Sequence, residues 1–488
     1  MNAGSLILSS LALPIAGALT LCALGRFPAL RNSIPLATSS ALFILVSILT
    51  IEVMDGNVPE ISLFEFAPGL PFAFKIEPLG ALFALLSSFL WIVTTVYSIG
   101  YLRANHEKNR IRYHTYFCLS LASSIGIAFA SNMLTLFFFY EALTLCTYPL
   151  VTHSGTDAAR RGGRRYLIIL LSTSIALLLL AILWTWVATG TLTFKNGGIL
   201  SDHVSSSAIA ILFVLYIFGI GKAALVPFHG WLPAAMVAPA PVSALLHAVA
   251  VVKAGVFTVV KVIIYIFGLD VLRDQASSDW LLYVAGATIL FASLMALRQI
   301  DLKRRLAYST VSQLSYIVIG ATMANSYALM GSTLHIVMHG FAKITLFFCA
   351  GAIFTVTKKT RIDELDGIGK KMPITMGAFA VGSFALIGLP PFAGAWSKYY
   401  LVLGTLQENS YPLLALLLIS SLLNAFYFLP IVVRAFFPLK NRNTSSPNKI
   451  SEAPILMIVA ITITTLGCFV LFAYPNFLFN LLYPLIEY

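Results

Sequence analysis

Residues Gly221 to Phe257 read GKAALVPFHGWLPAAMVAPAPVSALLHAVAVVKAGVF, a stretch without an acidic residue in which Lys222, His247 and Lys253 stand among apolar neighbours. The rest of the chain has the same character. Of its 488 residues 59% are hydrophobic and 10% charged, with a mean hydropathy of +0.90, whereas an ordinary soluble domain carries about 25% charged residues. A soluble fold is excluded. Apolar runs of roughly 18 to 25 residues recur from end to end, and each is long enough to cross a hydrocarbon layer about 30 Å thick.

The runs predict an all-α polytopic membrane protein of about 14 transmembrane helices, beginning near residues 5, 33, 78, 113, 132, 165, 207, 241, 279, 303, 326, 375, 411 and 453. The first run, Ser5 to Leu24, has no positive charge ahead of it and is longer than a signal-peptide core, so it is expected to be a retained helix. Cys22, Cys118, Cys146, Cys349 and Cys468 all lie in apolar runs and none is spaced as a CxxC pair, which predicts no disulfide framework, zinc site or iron–sulfur cluster.

Charge orients the spans. Loops after the odd-numbered spans hold Arg26, Arg31, Arg103, Lys108, Arg110, Arg112, Arg160, Arg161, Arg164, Arg165, Arg298, Lys303, Arg304, Arg305, Lys358, Lys359, Arg361, Lys370, Lys371, Arg434, Lys440, Arg442 and Lys449, 23 of the 31 basic residues. The other side has Lys75, Lys195 and Arg273, together with the acidic Asp55, Glu60, Glu65 and Glu77. The positive-inside rule then predicts cytoplasmic basic loops and both termini outside, in a cell inner membrane. Topology also explains the net charge of +12 better than nucleic-acid binding does.

Five basic residues remain inside the spans, Lys222, Lys253, Lys261, Lys343 and Lys398, beside Glu141 and His247, His335 and His339. All but Lys261 lie well within their spans, and Glu141 reads as the only buried carboxylate. A charged residue at a helix centre opposes insertion by about 2.5 to 3.5 kcal/mol, and the set by something on the order of 20 kcal/mol. Any one of them could be a structural polar group satisfied by backbone carbonyls; the whole set points to function. Burial weakens a lysine's hold on its proton and a facing carboxylate restores it, so Glu141 and Lys222, if paired, make a candidate switch. Histidine accepts on one ring nitrogen and donates from the other. His335, His339 and Lys343 recur at i, i+4 and i+8 on one helix face, about 6 Å apart along the axis. The same spacing could ligate a haem or a metal, but no carboxylate or cysteine lies nearby. His247 and Lys253 are six residues apart and face different ways.

Two interruptions suggest internal duplication. Pro227 breaks span 7, and Gly388-Leu389-Pro390-Pro391 followed by Gly394 breaks span 12, a pattern of transporters built from repeats. Lys222 stands 21 residues before Ser243-Ala244-Leu245-Leu246-His247-Ala248, and Lys398 stands 22 residues before Ser420-Ser421-Leu422-Leu423-Asn424-Ala425. Two half-channels are expected, one per repeat.

The Gly221 to Phe257 stretch resembles the signature of the antiporter-like proton-translocating subunits shared by respiratory complex I, group 4 membrane hydrogenases and Mrp-type Na+/H+ antiporters. Asp301 to Gln313 (DLKRRLAYSTVSQ), His335 to Phe347 (HIVMHGFAKITLF), Gly388 to Lys398 (GLPPFAGAWSK) and FFFYEALTLCTYPL around Glu141 resemble four further motifs of that family. The resemblance implies two inverted five-helix repeats, which divides the chain into residues 1–112 (spans 1 to 3), 113–270 (spans 4 to 8), 279–437 (spans 9 to 13) and 450–488 (span 14 and tail). It also implies that Glu141 and Lys222 match the family's glutamate–lysine pair, Lys253 its connecting lysine, His335 and His339 its helix-11 histidines, and Lys398 its terminal charged group. A lysine on span 12 and the length, which predicts no lateral helix, resemble the D-type member of Mrp antiporters; the SALLHAVAVVKAG stretch with His247 departs toward the large-subunit pattern.

The expected function is proton translocation as one subunit of a multisubunit Na+/H+ antiporter complex. Alternatives are the pumping arm of a complex I-type NADH:quinone oxidoreductase or a membrane-bound hydrogenase, and a self-sufficient secondary transporter. No catalytic chemistry and no cofactor are expected in this chain, since Gly367-Ile368-Gly369-Lys370 is a lone glycine pair. Expected partners are other membrane subunits, protons, Na+ and the lipid bilayer, and no nucleic acid.

Overall fold

The computed structural model describes residues 3–201, 203–274, 278–437 and 450–486; the loop residues Lys440, Arg442 and Lys449 and the tail residues 487–488 lie outside it. Its main helices are α1 (Ala3–Leu24), α2 (Pro28–Met54), α3 (Pro78–Ala104), α4 (Arg110–Phe129), α5 (Met133–Val151), α6 (Asp157–Thr189), α7 (Ser206–Gly219), α8 (Ala240–Phe267), α9 (Asp279–Arg298), α10 (Leu302–Thr322), α11 (Ser326–Thr357), α12 in two pieces (Pro373–Ile387 and Gly394–Gln407), α13 (Tyr411–Phe436) and α14 (Ile455–Ala473). Among the described residues ten are long and apolar enough to cross a membrane on their own; α7 and the first piece of α12 are shorter apolar helices.

Local chemistry sets the boundaries. Pro28, Pro78 and Pro373 open their helices where no intrahelical partner is needed for an N–H. Asn132, Thr156, Asp301 and Asn325 cap α5, α6, α10 and α11 by accepting from the N–H three residues on. The Thr156 cap starts α6 at Asp157 rather than near 165, because Arg160, Arg161, Arg164 and Arg165 extend the helix beyond the apolar run that hydropathy detects. The all-α expectation also missed a hairpin, β1 (Glu60–Ala67) with β2 (Leu70–Lys75), turned by Pro68-Gly69 with Gly69 at φ +79°.

Exposure sorts the helices into a centre and a rim. The most apolar windows of α8 and α11 are wholly buried, while α1, α2, α6, α13 and α14 present most of theirs outward, with Leu19, Val187 and Ile455 among the exposed side chains. A helix that is apolar all round and buried all round sits in the middle of a bundle, and here Lys253, Lys261, Lys343, His247, His335 and His339 sit on those two helices and Lys222 and Lys398 on the broken ones.

The chain leaves helical geometry at both expected places. After α7 it passes through the single 3-10 turn Gly221–Ala223 and the bend at Pro227 before a further short helical run, and α12 is open between Ile387 and Gly394. A third interruption was not expected. α8 loses its helix at Val249 and Ala250, between His247 and Lys253, in a sequence with no proline or glycine at that point. Gly340 of α11 packs beside it, so close that a Cβ there would lie 3.2 Å from the Ala248 carbonyl oxygen.

Glycine also sets the fit between α8 and the α7 break. A Cβ on Gly255 would stand 2.3 Å from the Lys222 carbonyl carbon and 2.4 Å from the Ala223 nitrogen, both backbone, whereas one on Gly377 would meet nothing within 4 Å. Gly255→Ala is therefore expected to destabilise the protein by about 1–3 kcal/mol, as overpacking does, and Gly377→Ala to stabilise it by about 0.5–1 kcal/mol through helix propensity. Thermal unfolding of both purified variants in detergent checks this, and an equal effect of the two would contradict the packing.

Candidate functional site

Each buried ammonium has found an acceptor. Lys222 sits in the 3-10 turn after α7, fully buried. Its Nζ donates to the Tyr140 carbonyl oxygen at 2.6 Å and lies 3.1 Å from the centre of the Tyr140 ring, while its backbone N–H donates to the Tyr140 hydroxyl at 3.1 Å. The neighbouring Glu141 has both carboxylate oxygens buried with no hydrogen-bond partner. The expected Glu141–Lys222 contact is thus open in this structure: the lysine is held one residue away, by a backbone carbonyl that α5 presents to the break.

The central group lies where α8 crosses α11. Lys253 Nζ is 2.8 Å from His339 Nδ1, and the rings of His339 and His335 lie 5.7 Å apart, one turn from each other on α11. His335 reaches Ser397 Oγ with Nδ1 at 2.8 Å and Gln313 Oε1 with Nε2 at 3.1 Å. Ser397 immediately precedes Lys398, whose Nζ donates to the Ile387 carbonyl at 3.0 Å and the Ser421 hydroxyl at 2.9 Å. A cavity of about 680 Å³ opens there, lined by Lys398, Ser421, Tyr316 and Gly388 at the α12 break. From Lys253 the polar contacts run through His339 and His335 to Ser397, and the Tyr316 ring lies 5.7 Å from that of His335 and 5.1 Å from Lys398 Nζ.

The remaining predicted residues are placed as follows. His247 is fully buried against the Phe347 ring at 4.6 Å, and neither ring nitrogen has a hydrogen-bond partner. Lys343 does not join the histidines of its own face; its Nζ donates to the Leu306 carbonyl of α10 at 3.0 Å. Among the described residues no hydrogen bond joins Lys222 to Lys253. Pro227, Pro390 and Pro391 are exposed at their breaks. Lys261, the residue nearest a helix end, is buried and donates to the Ala130 carbonyl at 2.8 Å.

Several members of the site are absent from the sequence-based set. Gln313, Tyr316, Ser397 and Ser421 bear ordinary polar groups that recur throughout the chain; Gln313 and Ser397 fall inside quoted motifs, the only signal that could have singled them out. Glu77 corrects a more definite expectation. Glu141 is not the only buried carboxylate, because Glu77 is 7% exposed and lies 3.5 Å from Lys261 Nζ.

Residues 130–424 match the model of the NADH:quinone oxidoreductase/Mrp antiporter, TM family, a segment that contains Glu141, Lys222, His247, Lys253, His335, His339, Lys343 and Lys398. The chain belongs to that family. It is 34% identical over 385 residues to the NADH-quinone oxidoreductase subunit N of Desulforudis audaxviator, covering 78% of this chain and 75% of that one. It is 32% identical over 345 residues to the chloroplastic NAD(P)H-quinone oxidoreductase subunit 5 of Ipomoea purpurea, where it spans 67% of itself but only 47% of the relative. Its fold is similar to a chain of an archaeal membrane-bound sulfane sulfur reductase, with a TM-score of 0.86, 23% identity and coverage of 99% and 97%. It is equally similar to a chain of the Mrp complex from Dietzia sp. DQ12-45-1b, with a TM-score of 0.86, 21% identity and coverage of 98% and 96%.

The Lys253–His339 contact yields a prediction that does not depend on transport. His339→Leu leaves a buried ammonium without its imidazole acceptor, which costs about 1–3 kcal/mol, whereas His247→Leu removes a ring with no hydrogen-bond partner. Unfolding in detergent should show the His339 variant as clearly the weaker; a His247 variant of equal or lower stability would contradict the assigned contact.

Proposed function

We propose that this chain is a proton-translocating membrane subunit of a multisubunit monovalent cation/proton antiporter complex similar to Mrp. The observation that carries the reading is the run Lys253, His339, His335 and Ser397, in which groups able to give and take protons stand within hydrogen-bond distance or one water of each other, with Lys398 the residue after Ser397. A proton on Lys253 passes to His339 Nδ1; the ring hands one on from Nε2 toward His335, and Ser397 relays it to Lys398 at the cavity. Glu141 and Lys222 form the other part of the path. In the arrangement seen here they are apart, and closing that gap would bind the lysine's proton more tightly, so that opening and closing switches its release. Residues 113–270 and 279–437 are assigned as the two inverted repeats, each centred on one broken helix and its lysine.

The basic loops are placed on the cytoplasmic side and the termini outside, in a cell inner membrane, with other membrane subunits as partners and protons and Na+ as the ions. A chain of an Mrp complex shares this fold over nearly its whole length, which is consistent with the antiporter, and a chain of a respiratory sulfane sulfur reductase shares it equally. The second reading, a proton-pumping arm of a complex I-type oxidoreductase or a membrane-bound hydrogenase, is favoured by the sequence relatives, which are quinone oxidoreductase subunits.

Inverted membrane vesicles carrying the native operon are predicted to show sodium-dependent proton movement. Lys222→Ala and Lys398→Ala should each lower it at least tenfold in assembled complexes, and Glu141→Asp should retain more transport than Glu141→Gln. Native rates in both lysine variants would sink the proposed path. A native operon without any sodium-dependent signal would transfer the reading to the redox-driven pump.

A further inference from the structure

Away from the line just described, on the hairpin side of the bundle, a second acid–base cluster is buried and faces a cavity of its own. Glu77 stands between β2 and α3, at the start of the latter. One carboxylate oxygen lies 3.5 Å from Lys261 Nζ of α8 and the other 3.7 Å from Lys75 Nζ of β2. Both distances bring charges together and both are longer than a strong hydrogen bond, and the buried Oε2 has the Lys261 ammonium as its ion-pair partner. Lys261 is 1% exposed, turned to the Ala130 carbonyl and packed 4.4 Å from the centre of the Phe194 ring. The cavity, of about 550 Å³, is lined by Glu77, Lys75, Asn57, Lys195, Phe194 and Tyr265. The charged or titratable groups around the pair are therefore Lys75, Lys195 and Tyr265, and Lys261 is the one walled off from solvent.

We propose that Glu77 and Lys261 form a proton-exchange site through which the buried polar line meets water on the hairpin face of the membrane. This rests on the proton-carrying function proposed above and adds a terminus to it. The step balances: an N–H bond of the Lys261 ammonium breaks, an O–H bond forms on Glu77, and a cation and an anion become a neutral amine and a neutral acid. The acid then releases its proton to water in the cavity, and Lys261 takes a new one from within. Lys75 holds the carboxylate against the cavity. On the inner side, Phe257 lies midway in sequence between Lys253 and Lys261 and packs on Phe83 with ring centres 4.9 Å apart. Over the roughly 12 Å of axis between the two lysines, that ring pair is an apolar plug. An exchange site behind a plug passes protons only when the plug moves, which is what a transporter without a leak requires.

The test uses the assembled complex in vesicles, with Lys253→Met as the reference. Glu77→Gln and Lys261→Met are expected to lower proton transport at least tenfold at normal complex content, with Glu77→Asp within threefold of native. Near-native transport in Glu77→Gln beside loss in Lys253→Met would overturn the exchange site and leave the proposed function standing; native transport in Lys253→Met would overturn both. An independent measurement keeps the proposal testable if the charge variants fail to assemble. With Cys22, Cys118, Cys146, Cys349 and Cys468 replaced by alanine, Glu77→Cys should react with a membrane-impermeant, cationic methanethiosulfonate applied from the hairpin side and not from the basic-loop side. Reaction from neither side, or only from the opposite one, would overturn it.

Discussion

An ammonium placed in an apolar bundle must replace the water it gave up, and the replacements made here organise the molecule. Lys222, Lys261, Lys343 and Lys398 each donate to a backbone carbonyl, those of Tyr140, Ala130, Leu306 and Ile387, and Lys253 donates to an imidazole. An unpaired charge at such depth would be far more costly than these contacts are strong. The exception among these hydrogen-bond acceptors is therefore informative: of the five lysines, Lys253 is the one that donates to a group able to take a proton away, while Lys261 has such a group, Glu77, as its ion-pair partner.

Two of these carbonyls, those of Ile387 and Ala130, stand at helix ends, while those of Tyr140 and Leu306 lie within α5 and α10. Ile387 ends the first piece of α12 and its oxygen is available to Lys398 because no helical N–H follows. Ala130 lies just beyond α4 and serves Lys261 in the same way. At the α12 break the freed Ile387 carbonyl supports Lys398 beside a cavity, and irregular backbone at membrane depth is tolerated where it lines such a cavity. Glycine permits the approach: Gly255 brings α8 against the backbone of Lys222, and Gly340 brings α11 against the interruption of α8.

The legible part of this arrangement was what an apolar background makes conspicuous. Charged residues inside spans stand out, so Lys222, Lys253, His335, His339 and Lys398 were identifiable, as were the proline breaks. What escaped depends on tertiary packing. Glu77 lies in a run of loop carboxylates with Asp55, Glu60 and Glu65, and only the docking of the α3 start against α8 makes it a buried partner of Lys261. Ser397 and Gln313 bind His335 across three helices, a relation no spacing along the chain encodes. The break at Val249 and Ala250 falls in a sequence with no proline or glycine there to mark it, and Lys343, in register with the histidines, turns instead to α10.

The central claim is that Lys253 and Lys398 lie in series on one path joined by His339, His335 and Ser397. A double-variant comparison of proton transport in vesicles with Lys253→Met, Lys398→Met and the two combined tests it most directly. On one path the double variant transports no less than the more impaired single variant. Losses that multiply would mean that the two lysines serve separate routes and would contradict the account.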